Sequence, residues 1–521
     1  METNNEKKSF YITTAIIYPN AEMHMGQTYE LYVADVIARY KRQRGFAVYF
    51  LTGTDEHGVK IARKAKEAGK DPQAFVDEKA QSFKALEARL NISYDQFIRT
   101  SDKVVHWPGA QAMWGKLAAN GDIYKKFYTG LYCVGCEKFK TEKELVDGKC
   151  PDHNTVPEKV EEENYFFKLS KYGAVLLQKI ESGELAIEPV SARNEMLALI
   201  KGGLDDVSFS RKEEAVLWGI PVPSDPTQLM YVWCDALVNY ISALGYGRSD
   251  HVLYDAFWPA DVHVIGKDIV RFHAAFWPAM LISAGLPLPK KIFAHGHITS
   301  DGKKMSKTIG NVLYAGEFID GYGAEALRYY LGREIAPTED GDFTREKFQT
   351  AYNANLANGL GNLVSRTLKM VETYFSGTID RQESYTVPIR IQIEGVADEY
   401  QVDQWSVDYF ARRIIEREYV MHMDAFQINK AADALWRLIK VLDGYIADYE
   451  PYKLFKENPE KAKAVLWSVL EGLLHVSVML EPFMPETAAT IAGLLGTEKD
   501  QQGVPVRFVS RPPEAPLFLR K

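Results

Sequence analysis

Phe10-Tyr11-Ile12-Thr13-Thr14-Ala15-Ile16-Ile17-Tyr18-Pro19-Asn20-Ala21-Glu22-Met23-His24-Met25-Gly26-Gln27 passes from an apolar, Thr-containing run through a Pro-Asn turn into a stretch of helical period that continues to Arg44. The run reads as a buried strand, and strand, turn and helix in that order open a nucleotide-type α/β fold. Working outward, Val48 to Leu51 reads as the next buried strand. The polar Thr52-Gly53-Thr54-Asp55-Glu56-His57-Gly58 follows it, at the carboxyl end of a parallel strand where ligands gather. Met230 to Trp233, Val262 to Ile265 and Ile292 to Ala294 are apolar runs separated by helical stretches, expected as further strands of the same sheet. Between them, from about Gly121 to Asp225, lie short alternating segments, a Cys/His cluster and prolines at Pro221, Pro223 and Pro226, the marks of an inserted module. Beyond about Phe343 the period is helical through Ala351 to Tyr374, Val407 to Tyr419, Ala425 to Tyr449 and Lys461 to Met479.

The expected fold is therefore α/β: a doubly wound, Rossmann-like parallel-sheet domain split by an insertion and followed by an all-α bundle. The boundaries that follow are 1–120 for the first half of the sheet domain, 121–226 for the insertion and 227–297 for the second half. A connecting region with a Lys-rich loop occupies 298–350, and the bundle 351–521.

A 521-residue chain with 46% hydrophobic and 25% charged residues is long enough for several cores. Its formal charge of −8 argues against gripping nucleic acid by bulk charge, which needs clustered Lys and Arg. Met1 to Ser9 is polar and has no apolar core of a signal peptide, so a cytoplasmic protein is expected. Val465 to Leu480 is apolar but interrupted by Glu471 and His475, which favours a buried bundle helix over a membrane span. Four cysteines in so long a chain argue against a disulfide framework, and three of them, Cys133, Cys136 and Cys150, cluster in a way that points to metal.

His24-Met25-Gly26-Gln27 lies where the first strand turns into a helix, so Gly26 would permit close approach of a phosphate or adenine while His24 donates hydrogen bonds. Lys303-Lys304-Met305-Ser306-Lys307-Thr308 follows the turn signal Ser300-Asp301-Gly302 and reads as a mobile loop presenting cations. Alone, the first is an incidental surface histidine as readily as a ligand, and the second a solvated basic loop. In this order, at opposite ends of a doubly wound sheet, they resemble the paired signatures of class I aminoacyl-tRNA synthetases. The resemblance is closest to the methionyl family and strongest over Phe10 to Gly58, Trp218 to Gly247, Ile265 to Met280 and His295 to Val312.

The resemblance implies ATP-driven activation of methionine and its transfer to methionine tRNA, initiator and elongator. A methionine carboxylate is already ionised near neutral pH and needs no base before attacking the α-phosphate, so positioning and charge neutralisation suffice. By the same resemblance His24 and Gln27 contact ATP phosphates, and Lys304 and Lys307 steady the departing pyrophosphate with magnesium. Gly26, Glu30, Gly266 and Asp268 lie along the nucleotide. The family commonly has a second histidine where Gln27 stands. Matched motif by motif, Tyr18, Trp233, Ala236, Tyr240, Ile269 and His273 enclose the methionine side chain with Ile16 nearby, Asp55 receives the amino group, and Arg211 belongs to the active site. An aromatic cleft suits a polarizable thioether, although any one of these residues taken singly reads as ordinary core.

Cys133-Val134-Gly135-Cys136 and Cys150-Pro151-Asp152-His153 each leave two residues between donors, the spacing that folds around tetrahedral zinc. Four protein ligands leave no vacancy for water, so the zinc is expected to be structural. In the family the helical domain reads the anticodon. Asn362 and Arg366, four apart on one helix face, and Pro451-Tyr452, where the family often has Pro-Trp, are the implied contacts, an aromatic ring there stacking on an unpaired base. The chain stops soon after Arg520, without the additional carboxyl-terminal domain through which many relatives dimerise, so a monomer is expected. Two alternatives stay open: a class I synthetase for another apolar amino acid, against which the short insertion argues, and a non-catalytic tRNA-binding paralogue, against which the two lysines argue.

Overall fold

The computed structural model of the chain describes residues 7–134, 138–140, 142–151, 154–213, 218–305, 310–381, 387–389 and 406–521. It divides into two compact units, Met1–His297 and Ile298–Lys521.

In the first unit a six-stranded sheet runs in the order Gln96–Arg99, Ala47–Thr54, Ser9–Thr14, Val262–Gly266, Lys291–His295, Ala186–Glu188, every pair parallel. Ile12 in the central strand faces Phe50 on one side and Val262 on the other. Tyr11, Ile12, Phe50, Leu51, Val264, Ile265 and Ile292 are fully buried, because crossover helices cover both faces and leave the strands no solvent side. The chain leaves Ser9–Thr14 toward one edge and later returns on its other side. The carboxyl ends of Ser9–Thr14 and Val262–Gly266 therefore flank the switch point where such sheets hold ligands.

Two expectations need correction here. Met230 to Trp233 is not a strand of this sheet: Asp225–Met230 pairs antiparallel with Ser210–Lys212 and Pro221–Val222 in a separate sheet, and Val232–Ala236 is helical. The run is apolar because Met230, Tyr231, Val232 and Cys234 all enter the main core, a requirement that either backbone conformation meets. Nor is 121–226 one separate body. Ile123–Cys133 pairs with Glu158–Phe167 in a long ribbon, but the following Gly173–Glu181, Ala186–Glu188 and Val190–Lys201 return to the parallel sheet, where Leu176, Ile180, Ile187 and Met196 join the core of Tyr11 and Leu51.

In the second unit Ile298–Ser300 pairs with Lys303–Lys304 and Gly341–Asp342, and helices dominate thereafter. Arg345–Ala351 continues through Tyr352–Gly361 into Asn362–Phe375. Pro459–Leu480 begins where Asn458 accepts the Lys461 amide at 3.0 Å, with Pro459 at the first helical position. Val465, Leu466, Val469, Leu470, Leu473 and Val476 are fully buried, so this apolar helix, long enough to cross a membrane, is a bundle core. The bundle is not wholly helical: Thr378–Asp380, Pro505–Val509 and Thr497–Lys499 form an antiparallel sheet that the helical period hides.

On the core helix, His475 meets Glu416 through Nδ1 at 2.7 Å and Asp408 through Nε2 at 3.1 Å. Burial would lower this imidazole, but the two carboxylates outweigh it and raise its pKa from 6.5 to about 9. His475 therefore contributes stability that is fully present below about pH 6.5 and lost as the pH rises through about 9. The gap in Tm between the wild-type chain and His475→Gln should shrink steadily between pH 7 and pH 10; a constant gap across that window would show that the imidazolium does not contribute.

Candidate active site

Met25–Gln43 starts at the switch point, and His24 is its N-cap. Backbone His24 N–H donates to Gln27 Oε1 at 3.0 Å, and His24 Nδ1 accepts from Gln27 N–H at 3.3 Å, which closes a capping box. Nδ1 acts as an acceptor, so the proton of the neutral ring is on Nε2. A Cβ at position 26 would lie 3.2 Å from the His24 ring, and glycine lets that ring fold over the helix terminus. The result is an imidazole N–H donor held beside the positive end of a helix, a geometry suited to phosphate.

One turn on, Glu30 meets His295 Nε2 at 3.1 Å, while His295 Nδ1–H donates to the Gly296 carbonyl at 2.7 Å. Burial pushes the Glu30 carboxyl up, against the opposing effect of His295. Burial would lower the His295 imidazole, but the Glu30 hydrogen bond and charge outweigh it and the net shift is upward. Asp268 lies 3.7 Å from His297. Gly266 sits among these groups: a Cβ there would fall 2.8 Å from Asp268 Oδ1, 3.8 Å from His295 Nε2 and 3.9 Å from Glu30 Oε2. Glu30, Gly266 and Asp268 are thus brought together, with His295 and His297 beside them, two residues that the sequence reading did not name. Their signal was available, since both histidines stand at the carboxyl end of strand Lys291–His295.

Behind this polar nest is an aromatic cluster. Tyr240 Oη–H donates to His273 Nε2 at 2.7 Å, and His273 Nδ1–H donates to the Ile269 carbonyl at 3.0 Å. Burial lowers the His273 pKa from 6.5 to about 4, so its ring is neutral near pH 7. Trp233 stacks on Phe272 at 3.7 Å with ring planes 3° apart, and meets His273 edge-on at 6.3 Å. Ala236 is buried on the Trp233 helix, and Ile16, Tyr18 and Ile269 are partly buried against the same core. Phe272 and the buried His263, which contacts the Tyr240 ring at 4.2 Å, were not anticipated.

Asp55, 7% exposed, opens the polar loop after strand Ala47–Thr54. The two residues after it are both fixed. Glu56 accepts from Arg99 Nε at 2.7 Å, Arg99 Nη2 at 3.0 Å and Thr54 Oγ1 at 2.6 Å, and also from Ser101. His57 Nδ1–H donates to Asp235 Oδ2 at 2.5 Å, and its carbonyl accepts from Tyr18 Oη at 3.2 Å.

Arg211 is buried. Its Nη1 donates to Ser208 Oγ at 2.7 Å and the Ser210 carbonyl at 2.6 Å, and its guanidinium lies over Tyr231 at 4.7 Å and Tyr132 at 5.3 Å. Those contacts belong to two antiparallel sheets, that of Ser210–Lys212 and that of Ile123–Cys133 with Val207–Ser208, rather than to the Trp233–His273 cluster. Of the four knuckle residues, Cys133 and Cys150 are buried and neither is in a disulfide, while Cys136 and His153 lie outside the described residues. Buried cysteines outside any disulfide, each with a further cysteine or a histidine three positions on, form a sulfur-rich set that fits zinc.

In the second unit Lys304 is exposed, its carbonyl accepting from Asn311 Nδ2 at 3.3 Å, and Lys307 lies outside the described residues. Arg366 donates to Asp443 at 2.8 Å, and Tyr452, 45% exposed, donates to Glu450 at 2.6 Å. Asn362 starts the helix that carries Arg366, and Pro451 the one that carries Tyr452.

Residues 10–159 and 153–368 match the family of class I tRNA synthetases (M), and residues 398–507 match the anticodon binding domain of methionyl tRNA ligase. The methionine–tRNA ligase of Thermotoga maritima is 44% identical over 92% of this chain and 74% of its own, and that of Brucella suis 40% identical over 95% and 93%. The Mycobacterium tuberculosis methionyl-tRNA synthetase in complex with methionyl-adenylate superposes with a TM-score of 0.89 at 37% identity, covering 98% of this chain and all of that one. A Rossmann-like sheet followed by a helical unit is the architecture that these matches share, and the chain belongs to the class I methionyl-tRNA synthetases.

Proposed function

We propose that the chain is a methionine–tRNA ligase, forming methionyl-adenylate from methionine and ATP and then charging methionine tRNA. The observation that carries this reading is the neutral His273–Tyr240 pair, buried in an aromatic cluster on the core that also packs Tyr18 and Trp233. An uncharged, polarizable cleft suits a thioether and offers a cationic side chain nothing.

In the first step a methionine carboxylate oxygen bonds to the α-phosphorus as the bond from that phosphorus to the β-phosphate bridge breaks, releasing pyrophosphate. His24 Nε2–H and the helix terminus take up phosphate charge, Lys304 and Lys307 steady the leaving pyrophosphate, and Asp55 holds the substrate ammonium. Magnesium bound with the ATP phosphates would supply further charge neutralisation there. In the second step a hydroxyl of the terminal tRNA ribose attacks the adenylate carbonyl carbon and AMP leaves. Cys133, Cys136, Cys150 and His153 would hold one zinc that stiffens the ribbon tip. Charging takes place where translation does, so the cytoplasm is the compartment of this reading.

ATP–pyrophosphate exchange with each amino acid in turn tests it. Stimulation by methionine alone is expected; no stimulation by any amino acid would favour a non-catalytic tRNA-binding protein. Asn362, Arg366, Pro451 and Tyr452 are assigned to the anticodon. Arg366→Ala should raise the KM for methionine tRNA about tenfold or more and leave pyrophosphate exchange unchanged; an unaltered KM and anticodon preference would count against that assignment.

A further inference from the structure

The buried carboxylate of Asp235 joins segments far apart in sequence. Its Oδ2 accepts from His57 Nδ1–H at 2.5 Å across 178 residues, and its Oδ1 from His106 Nε2–H at 2.6 Å across 129. An ionised carboxylate only accepts, so both imidazoles present N–H to it, and His106 Nδ1 is hydrogen-bonded to Ser242 Oγ at 2.8 Å. His57, Asp235, His106 and Ser242 are all at most 2% exposed. The His57 ring is flanked edge-on by Trp218 at 5.4 Å and Trp107 at 6.2 Å, and its Nε2 has no hydrogen-bond partner among the described residues. Among the described residues, the one hydrogen bond that orients this ring is the one to Asp235.

Each end of the bridge lies beside a residue assigned to the amino acid. His57 is two positions from Asp55, and its carbonyl accepts from Tyr18. Asp235 stands between Trp233 and Ala236 on their helix. Ser242 shares the short helix Asn239–Ser242 with Tyr240. We propose that Asp235 is a positioning residue for the amino-acid site, fixing the Asp55 loop, the Trp233 helix and the Tyr240 turn to one another through His57 and His106. With Glu56 pinned independently by Arg99, the two residues that follow Asp55 are both immobilised. The ammonium contact and the side-chain pocket are then held at a fixed separation, which is what a ligand with both groups on one short carbon chain requires.

This inference rests on the proposed ligase reading, and exchange kinetics separate the two. Asp235→Asn keeps the shape but loses the charge that accepts both N–H bonds. It should raise the KM for methionine about ten- to a hundredfold, the loss of hydrogen bonds to a charged group, with the KM for ATP within about threefold of wild type. His57→Asn, which keeps an N–H near the Nδ1 position, should leave the methionine KM within about threefold, whereas His57→Phe should raise it as Asp235→Asn does. The His57 pair decides the question if Asp235→Asn fails to fold. Equal KM changes for methionine and ATP, or equal effects of His57→Asn and His57→Phe, would overturn the positioning role. Wild-type protein without methionine-dependent exchange would overturn the ligase reading and the inference together, while wild-type exchange with an unchanged methionine KM in Asp235→Asn would overturn the inference alone.

Discussion

Replacing His24 by alanine is expected to slow methionine-dependent ATP–pyrophosphate exchange by about 10²–10³-fold, the loss that follows removal of one preorganised donor to developing negative charge. Methionine binding should stay near wild type, because the imidazole lies at the helix terminus and not in the aromatic cluster. The substitution removes two things at once, the Nε2–H donor and the N-cap, and the cap alone is worth about 1 kcal/mol of stability. Gln27→Ala separates them: it removes the side chain that accepts the His24 amide but leaves the imidazole in place. Its expected signature is a small fall in Tm with a much smaller loss of exchange than His24→Ala. Exchange unaffected by His24→Ala would sink the role assigned to the ring.

The second large effect is expected at Asp55. Asp55→Ala should raise the KM for methionine by about 10²-fold or more, because loss of a carboxylate partner leaves the substrate ammonium desolvated and unpaired, at a cost of about 3–5 kcal/mol for a buried pair. The side chain is 7% exposed and the two residues after it are held by Arg99 and Asp235, so water cannot readily replace it. Turnover at saturating methionine should fall less than the KM rises. A methionine KM unchanged in this variant would mean that the amino group is recognised elsewhere.

The central strands were legible because they are buried on both faces, which forces continuous apolar runs such as Phe10 to Ile12 and Val262 to Ile265. The edge strands Gln96–Arg99 and Ala186–Glu188 were not. They are three or four residues long, mix charged with apolar side chains, and are specified by the neighbour they pair with more than by their own pattern. Met230 to Trp233 failed for the opposite reason, since deep burial made it apolar whatever its backbone did.

At the site, motif order pointed to His24, Glu30, Gly266, Asp268 and the Tyr240–His273 pair, which the fold gathers around one switch point. The Asp235 bridge was beyond reach, because contacts across more than a hundred residues leave no local period or spacing. His295 illustrates the middle case: its place at a strand end is readable, but its pairing with Glu30 depends on two strands lying side by side.

The capping box at the first helix has a consequence for how this sequence can vary. Gln27 is the residue where the motif departs from the family's usual histidine, and it is also the partner that closes the box around His24. Histidine at 27 would bring a potential cation and would exchange the amide oxygen that accepts the His24 N–H for a ring nitrogen. The side chain at position 27 therefore bears on how the neighbouring imidazole is oriented as well as on the charge that the helix terminus presents.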